Sequence, residues 1–257
     1  MPIKPHGMLG RLFHIGVLAR WKLATAAARQ TRRRILRLQR AQARQLKSVL
    51  QEFCHLADDR LALPQTGSVN FVRPIGTDWS WRPRLWRLRS DQPGRAPVFD
   101  KTRFGDEIGI FHDCPHHEIT IRQIRNLRDT DISAFGLRVD VLHFAGSYLS
   151  IVVDLPNESC VELKKQHLIQ LSAVIEKEHP TQIHARLNVK NGPNTEQILL
   201  TLPDGDGMAS VEFDLAYTQL NEKRAERMWI DLMIDEASMN QITFRDLTIS
   251  RYPRAQI

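Results

Sequence analysis

The chain has 257 residues, 42% of them hydrophobic and 25% charged, with 13 Gly and 13 Pro. This is globular composition. Its length suits one large domain with an extension, or two small domains, and a core of that size needs no staples. Three scattered cysteines, Cys54, Cys114 and Cys160, imply no disulfide framework and point to a reducing compartment, and no apolar run approaches the roughly 20 residues of a membrane span.

The net charge of +7 conceals an asymmetry. Residues 1–50 carry twelve Lys or Arg and no Asp or Glu, so the remainder carries a formal −5. A basic extension on a mildly acidic domain favours a local anionic contact through the N-terminus. The first segment, residues 1–27, gathers Leu9, Leu12, Phe13, Val17, Leu18 and Trp21 with Arg11, Arg20 and Lys22. A secretory signal is the competing reading of this start. However, His14 interrupts the apolar stretch and Arg20 and Lys22 cut it short. The expectation is a cytoplasmic protein, with peripheral contact at the inner membrane.

Residues 28–60 read as an amphipathic basic helix. From Ala28 to Ala57 there is no Gly or Pro, and Ala, Arg, Gln and Leu dominate. At 100° per residue, Arg29, Arg32, Arg33, Arg37, Arg40, Arg44 and Lys47 span about 140°, while Ile35, Leu38, Leu46, Val49, Phe53 and Leu56 span about 80° on the opposite side. A strict heptad fails, because Gln42, Gln45 and Glu52 fall at seam positions. The expectation is that the apolar stripe docks on protein, leaving Arg32, Arg33, Arg37, Arg40, Arg44 and Lys47 to meet an anionic surface. A lipid headgroup layer and a protein partner are both open occupants, and nucleic acid is the less favoured one.

The period then changes from 3.6 to 2. Residues 66–257 read as an antiparallel β-sandwich, specifically a jelly roll. Leu137, Val139 and Val141 alternate with Arg138 and Asp140. Ile183, Ala185, Leu187 and Val189 alternate with His184, Arg186, Asn188 and Lys190. Ile230, Leu232 and Ile234 alternate with Trp229, Asp231 and Met233. Parity slips between Phe244 and Leu247, which predicts a bulge near Arg245. "KQHLIQLSAVIEKEH" fits either period and is assigned to a strand on its β-branched content. "HDCPHH", "KNGPN" and "LPDGDG" supply turns, and no helices interleave the strands. The predicted core contains Val139, Val153, Leu187, Phe213, Leu232 and Leu247.

Several constellations carry chemistry in principle. "FHDCPHHE" holds His112, Asp113, Cys114, His116, His117 and Glu118, yet a zinc site wants ligands from two separated stretches, so the reading is a polar hairpin turn and no metal. Trp79, Trp81 and Trp86 with Arg82 and Arg84 could form a stacking platform, but tryptophans in a β domain are more often core residues or edge covers, and that is the preferred reading. The preferred ligand face is His184, Arg186 and Asn188 beside Trp229 and Asp231, provided the two strands are neighbours. An aromatic plane flanked by amide, guanidinium and carboxylate groups suits sugar hydroxyls. No catalytic constellation, P-loop or dinucleotide fingerprint occurs, so the reading is a non-catalytic binding protein without a cofactor. The alternative is an assembly protein working through its N-terminal helix.

The segments "TDWSWRP", "FHDCP", "NGPNTEQ", "LNEKR" and "DLTISRYPRA" resemble, in the same order, the signature segments of an uncharacterised alphaproteobacterial family, a domain of unknown function, over roughly residues 70–257. The resemblance implies a bacterial cytoplasmic protein and brings no activity with it. At fold level the strand layout is also similar to galactose-binding-like and other carbohydrate-binding jelly rolls, though no sugar-binding motif matches residue by residue.

Overall fold

The computed structural model describes residues 8–66, 71–205 and 207–254. The chain divides into two compact units, residues 1–56 and 57–257.

The first unit is helical. Helix α1 spans Met8–Ala27 and α2 spans Arg33–Thr66. The helix expected from Ala28 therefore begins at Arg33, and the segment before it is a helix of its own. Between them the chain turns because one carbonyl takes several donors. Ala27 O accepts the N–H groups of Gln30 and Thr31, each at 3.0 Å, and the Thr31 hydroxyl at 2.8 Å. Arg29 and Arg32 thus lie in the turn and off the helix. Arg20 reaches Gln42 Oε1 at 3.4 Å, linking the two helices. On this unit Ile35, Leu38, Val49 and Phe53 of the apolar stripe are 48, 63, 59 and 66% exposed.

The second unit takes in the end of α2 and is otherwise built mainly from strands. In chain order these are β1 (Trp79–Trp81), the short helix α3 (Arg84–Arg87), β2 (Gly94–Arg95), β3 (Thr102–Phe104), β4 (Ile108–His112), β5 (His117–Arg125), β6 (Phe135–Phe144) and β7 (Leu149–Asp154). They are followed by β8 (His167–Lys177), β9 (Ile183–Asn191), β10 (Asn194–Thr201), β11 (Met208–Asp214), β12 (Ala225–Ile234) and β13 (Asn240–Pro253). One sheet runs β11-β8-β13-β6-β5-β2, with β1 added along β13. The other runs β10-β9-β12-β7-β4-β3. Every pairing is antiparallel.

Alternation decides which side chains meet between the sheets, since successive residues point to opposite faces. Val139, Val153, Leu187, Phe213, Leu232 and Leu247 all lie in one buried core, as their parity predicts. Each such side chain contributes about 1.5–3 kcal/mol on burial. The ambiguous segment is strand β8. The predicted slip is present: the register against β8 shifts between Phe244 and Asp246, which makes Arg245 the extra residue and returns Leu247 and Ile249 to the core. Asn126 fastens this bulge, its Nδ2 donating to Arg245 O at 2.9 Å and to Phe135 O at 3.0 Å. Between β9 and β10 the turn is Gly192-Pro193; Gly192 has φ +62° and proline requires a negative φ, the combination of a type II′ hairpin.

One turn differs from its expectation. "HDCPHH" joins β4 to β5, which lie in different sheets, so it is an arch across the sandwich and not a hairpin. The Asp113 carboxylate ties this arch to the neighbouring β6–β7 crossing by accepting from the Ser147 N–H at 2.7 Å, the Tyr148 N–H at 3.3 Å and the Ser147 hydroxyl. Those bonds, led by the Ser147 hydroxyl, hold its pKa below the ordinary carboxylate value. A local turn signal fixes where a chain reverses. It does not say which sheet receives the next strand.

Candidate functional site

The five residues expected to form a ligand face come from strands that are neighbours. β9 and β12 pair so that Trp229 lies opposite Asn188, Asp231 opposite Arg186, and Met233 opposite His184. All project from the outer side of the sheet, because their alternating partners Leu187, Ile230 and Leu232 fill the core.

Their roles differ. Asn188 is fully buried and Asp231 nearly so. Asp231 Oδ2 accepts from Arg186 Nε at 2.9 Å, from Arg186 Nη2 at 2.7 Å and from Asn188 Nδ2 at 3.0 Å. A carboxylate in this setting locks the guanidinium in place. Gln197 Nε2, on the exposed edge strand β10, donates to Asn188 Oδ1 at 2.9 Å. Arg186 remains partly open to solvent, with 37% of its side chain exposed. His184 sits one pair further along, between Thr201 Oγ1 and Asp235 Oδ2, each at 2.9 Å.

Trp229 is half-buried, with the Arg227 guanidinium 5.3 Å from its ring centroid. Arg227 is held by Asp154 Oδ1 at 2.5 Å, and Asp154 lies directly opposite Trp229 on β7. The other Asp154 oxygen accepts from Arg103 Nη1 at 2.7 Å. Arg103, Asp154 and Arg227 are residues that sequence reasoning missed. Arg227 shares the outward parity of Trp229 and was legible on that ground. The Arg103–Asp154 pair spans 51 residues and three intervening strands, so no local pattern announces it.

The tryptophans of "DWSWRPRLWRLR" are packing residues, as preferred over a stacking platform. Trp86 is 1% exposed and Arg82 2%. Trp86 Nε1 donates to Phe244 O at 2.9 Å, at the bulge, and Arg82 forms a two-point pair with Asp246, both contacts at 2.8 Å. Trp79 and Trp81 pack against the core. At the β4–β5 arch, His112 is buried with Nε2 3.3 Å from Val98 O, and Cys114 Sγ donates to His116 O at 2.8 Å. Among the described residues no group of three or more His, Cys, Asp or Glu is placed to hold a metal ion.

Two antiparallel sheets closed face to face around one core, with a mixed aromatic and charged outer face, define a jelly-roll-like β-sandwich carrying a basic helical extension. The chain belongs to the family of unknown function DUF6478, whose model matches residues 1–257, more of the chain than the sequence resemblance covered. No curated protein matches the sequence. Among solved structures, the family 11 carbohydrate-binding module from Clostridium thermocellum in complex with a mixed-linked tetrasaccharide is similar at 12% identity and TM-score 0.39, over 65% of this chain and 100% of that one. The xylan-binding domain of Paenibacillus barcinonensis Xyn10C is similar at 9% identity and TM-score 0.36, over 63% and 94%. The enzymatically active domain of bacteriophage CBA120 tailspike protein 4 matches at 9% identity and TM-score 0.39 over 55% of this chain, which spans 19% of that one. These likenesses concern the fold.

Proposed function

We propose that this protein is a non-catalytic glycan-binding module that works beside an anionic surface. The observation that supports the first part is the pairing of Trp229 with Asn188 and Asp154 next to the locked Arg186–Asp231 pair. A half-exposed indole offers the apolar face of a sugar ring a flat partner. The flanking Arg186 and Arg227 guanidiniums, pre-set by Asp231 and Asp154, offer donors to hydroxyls at little ordering cost, while the buried Asn188 amide supports Asp231 from beneath. Trp229→Ala is expected to weaken oligosaccharide binding about tenfold on a glycan array and by calorimetry, with the melting temperature almost unchanged. A large drop in melting temperature with binding retained would make Trp229 a packing residue and remove the reading.

The surface part is supported by the first unit, which exposes a basic stripe and an apolar stripe on one helix. Basic residues near an anionic bilayer contribute about 1 kcal/mol each. Replacing Arg33, Arg37, Arg40 and Arg44 with Glu is expected to abolish co-sedimentation with phosphatidylserine-containing vesicles and to leave thermal stability intact. Wild-type protein that ignores such vesicles yet self-associates through Val49 and Phe53 would favour the assembly role instead.

A further inference from the structure

Arg103 belongs to two places at once. On the sheet face its guanidinium holds Asp154, the strand neighbour of Trp229. The same side chain lines a cavity of about 340 Å³ between α3 and the β3–β4 hairpin. Gly109 makes this reach possible: a β-carbon there would meet Arg103 Nη1 at 3.2 Å and the Phe111 ring at 2.9 Å. Without one, the guanidinium lies across the sheet and connects the outer face with the cavity.

The cavity has an apolar floor and a charged rim. Leu85, Phe104 and Ile108 are buried beneath it. Arg84, Arg89 and Arg103 stand on its rim with Asp91, Asp106 and Glu107, and Arg103 Nη2 donates to Asp106 O. The Arg84 N–H donates to Glu107 Oε2 at 2.6 Å. Burial pushes the Glu107 carboxyl above its ordinary value, against the opposing pull of the Arg84 N–H and of Arg87 and Arg84, so this wall gives up its negative charge more readily than a free carboxylate. Its volume lies at the small end of the roughly 300–1,000 Å³ typical of ligand pockets, which suits a single sugar ring and not a chain.

We infer that this cavity takes the carboxylated end of a glycan laid along the sheet face, a terminal uronic-acid residue whose carboxylate meets Arg84 and Arg103 while its ring rests on Leu85 and Phe104. A guanidinium fork matches the geometry of a carboxylate, and the apolar floor matches a pyranose face. The inference rests on the sheet-face reading for the rest of the chain, and the test separates the two. Calorimetry on the full-length protein would use tetragalacturonate, cellotetraose and free galacturonate as probes. Tetragalacturonate is expected to bind about tenfold more tightly than cellotetraose. Arg84→Gln, at an exposed side chain, should erase that preference and leave cellotetraose binding unchanged, while Glu107→Gln should preserve or strengthen the binding of the acidic probe. Equal affinity for the two tetrasaccharides with no effect of Arg84→Gln overturns the cavity and leaves the sheet face standing. Free galacturonate that binds wild type but not Arg84→Gln, with no dependence of any tetrasaccharide on Trp229, keeps the cavity and overturns the sheet face. Failure of both acidic probes to bind overturns the cavity outright.

Discussion

Arg82→Ala is expected to destabilise the sandwich by about 3–5 kcal/mol, measured by urea denaturation of the full-length protein. The pair it breaks is enclosed, with 1% of the Arg82 side chain and 6% of the Asp246 side chain exposed. Truncating the arginine strands a buried carboxylate on the central strand β13. Burial already raises the Asp246 pKa, with Arg82 as the main opposing influence. The sign of the pH dependence follows. A carboxyl whose folded pKa lies above its unfolded value binds more protons in the folded state, so it favours folding below the unfolded value and loses that contribution as pH rises through the folded one. Without Arg82 the folded value rises further, so the deficit of the variant should narrow as the pH falls toward the carboxylate range. A deficit that widens on acidification would mean that Asp246 is not the group left uncompensated. Replacing both partners together, Arg82→Met with Asp246→Leu, should be close to neutral or stabilising, because no charge then remains to be desolvated.

Trp86→Ala is expected to cost about 3–5 kcal/mol as well, by the same measurement. The indole is enclosed by the core, and its N–H satisfies the carbonyl of Phe244 beside the bulge. Trp86→Phe keeps most of the volume and deletes only the donor, so its cost should be about 1–3 kcal/mol, the penalty of an unpaired buried carbonyl. Equal losses in the two variants would show that the hydrogen bond and not the packing carries the residue. Little loss in either would return Trp86 to the surface stacking role that is the less favoured reading of its sequence context. The stretch "DWSWRPRLWRLR" reads locally as aromatics interleaved with cations. That pattern is the same whether the rings face a ligand or the interior.

Much of the candidate site was legible for a specific reason. Period-two alternation assigns each residue of β9 and β12 to a face, so His184, Arg186, Asn188, Trp229 and Asp231 could be grouped before any contact was known. Their pairing could not. It depends on which strands the chain brings side by side, and β9 and β12 are separated by β10 and β11. Division of labour within the group was equally hidden. Asn188 and Arg186 carry the same parity, yet Asn188 is buried under its neighbours and Arg186 is not. The helix boundary missed by five residues because propensity is continuous from Ala28, while the break rests on three donors converging on the Ala27 carbonyl.

By itself the sequence determined the β-sandwich, the bulge at Arg245, the core residues and the segregation of basic charge to residues 1–50. Each of these is encoded in local periodicity or composition, and burial of the apolar face leaves one register per strand. Only the tertiary structure decided that "HDCPHH" crosses between sheets, that Arg82 and Trp86 are interior, and that Arg103, Asp154 and Arg227 join beside Trp229. Those outcomes depend on contacts between residues far apart in the chain. Local pattern constrains which way a side chain points, while sheet order determines what it meets.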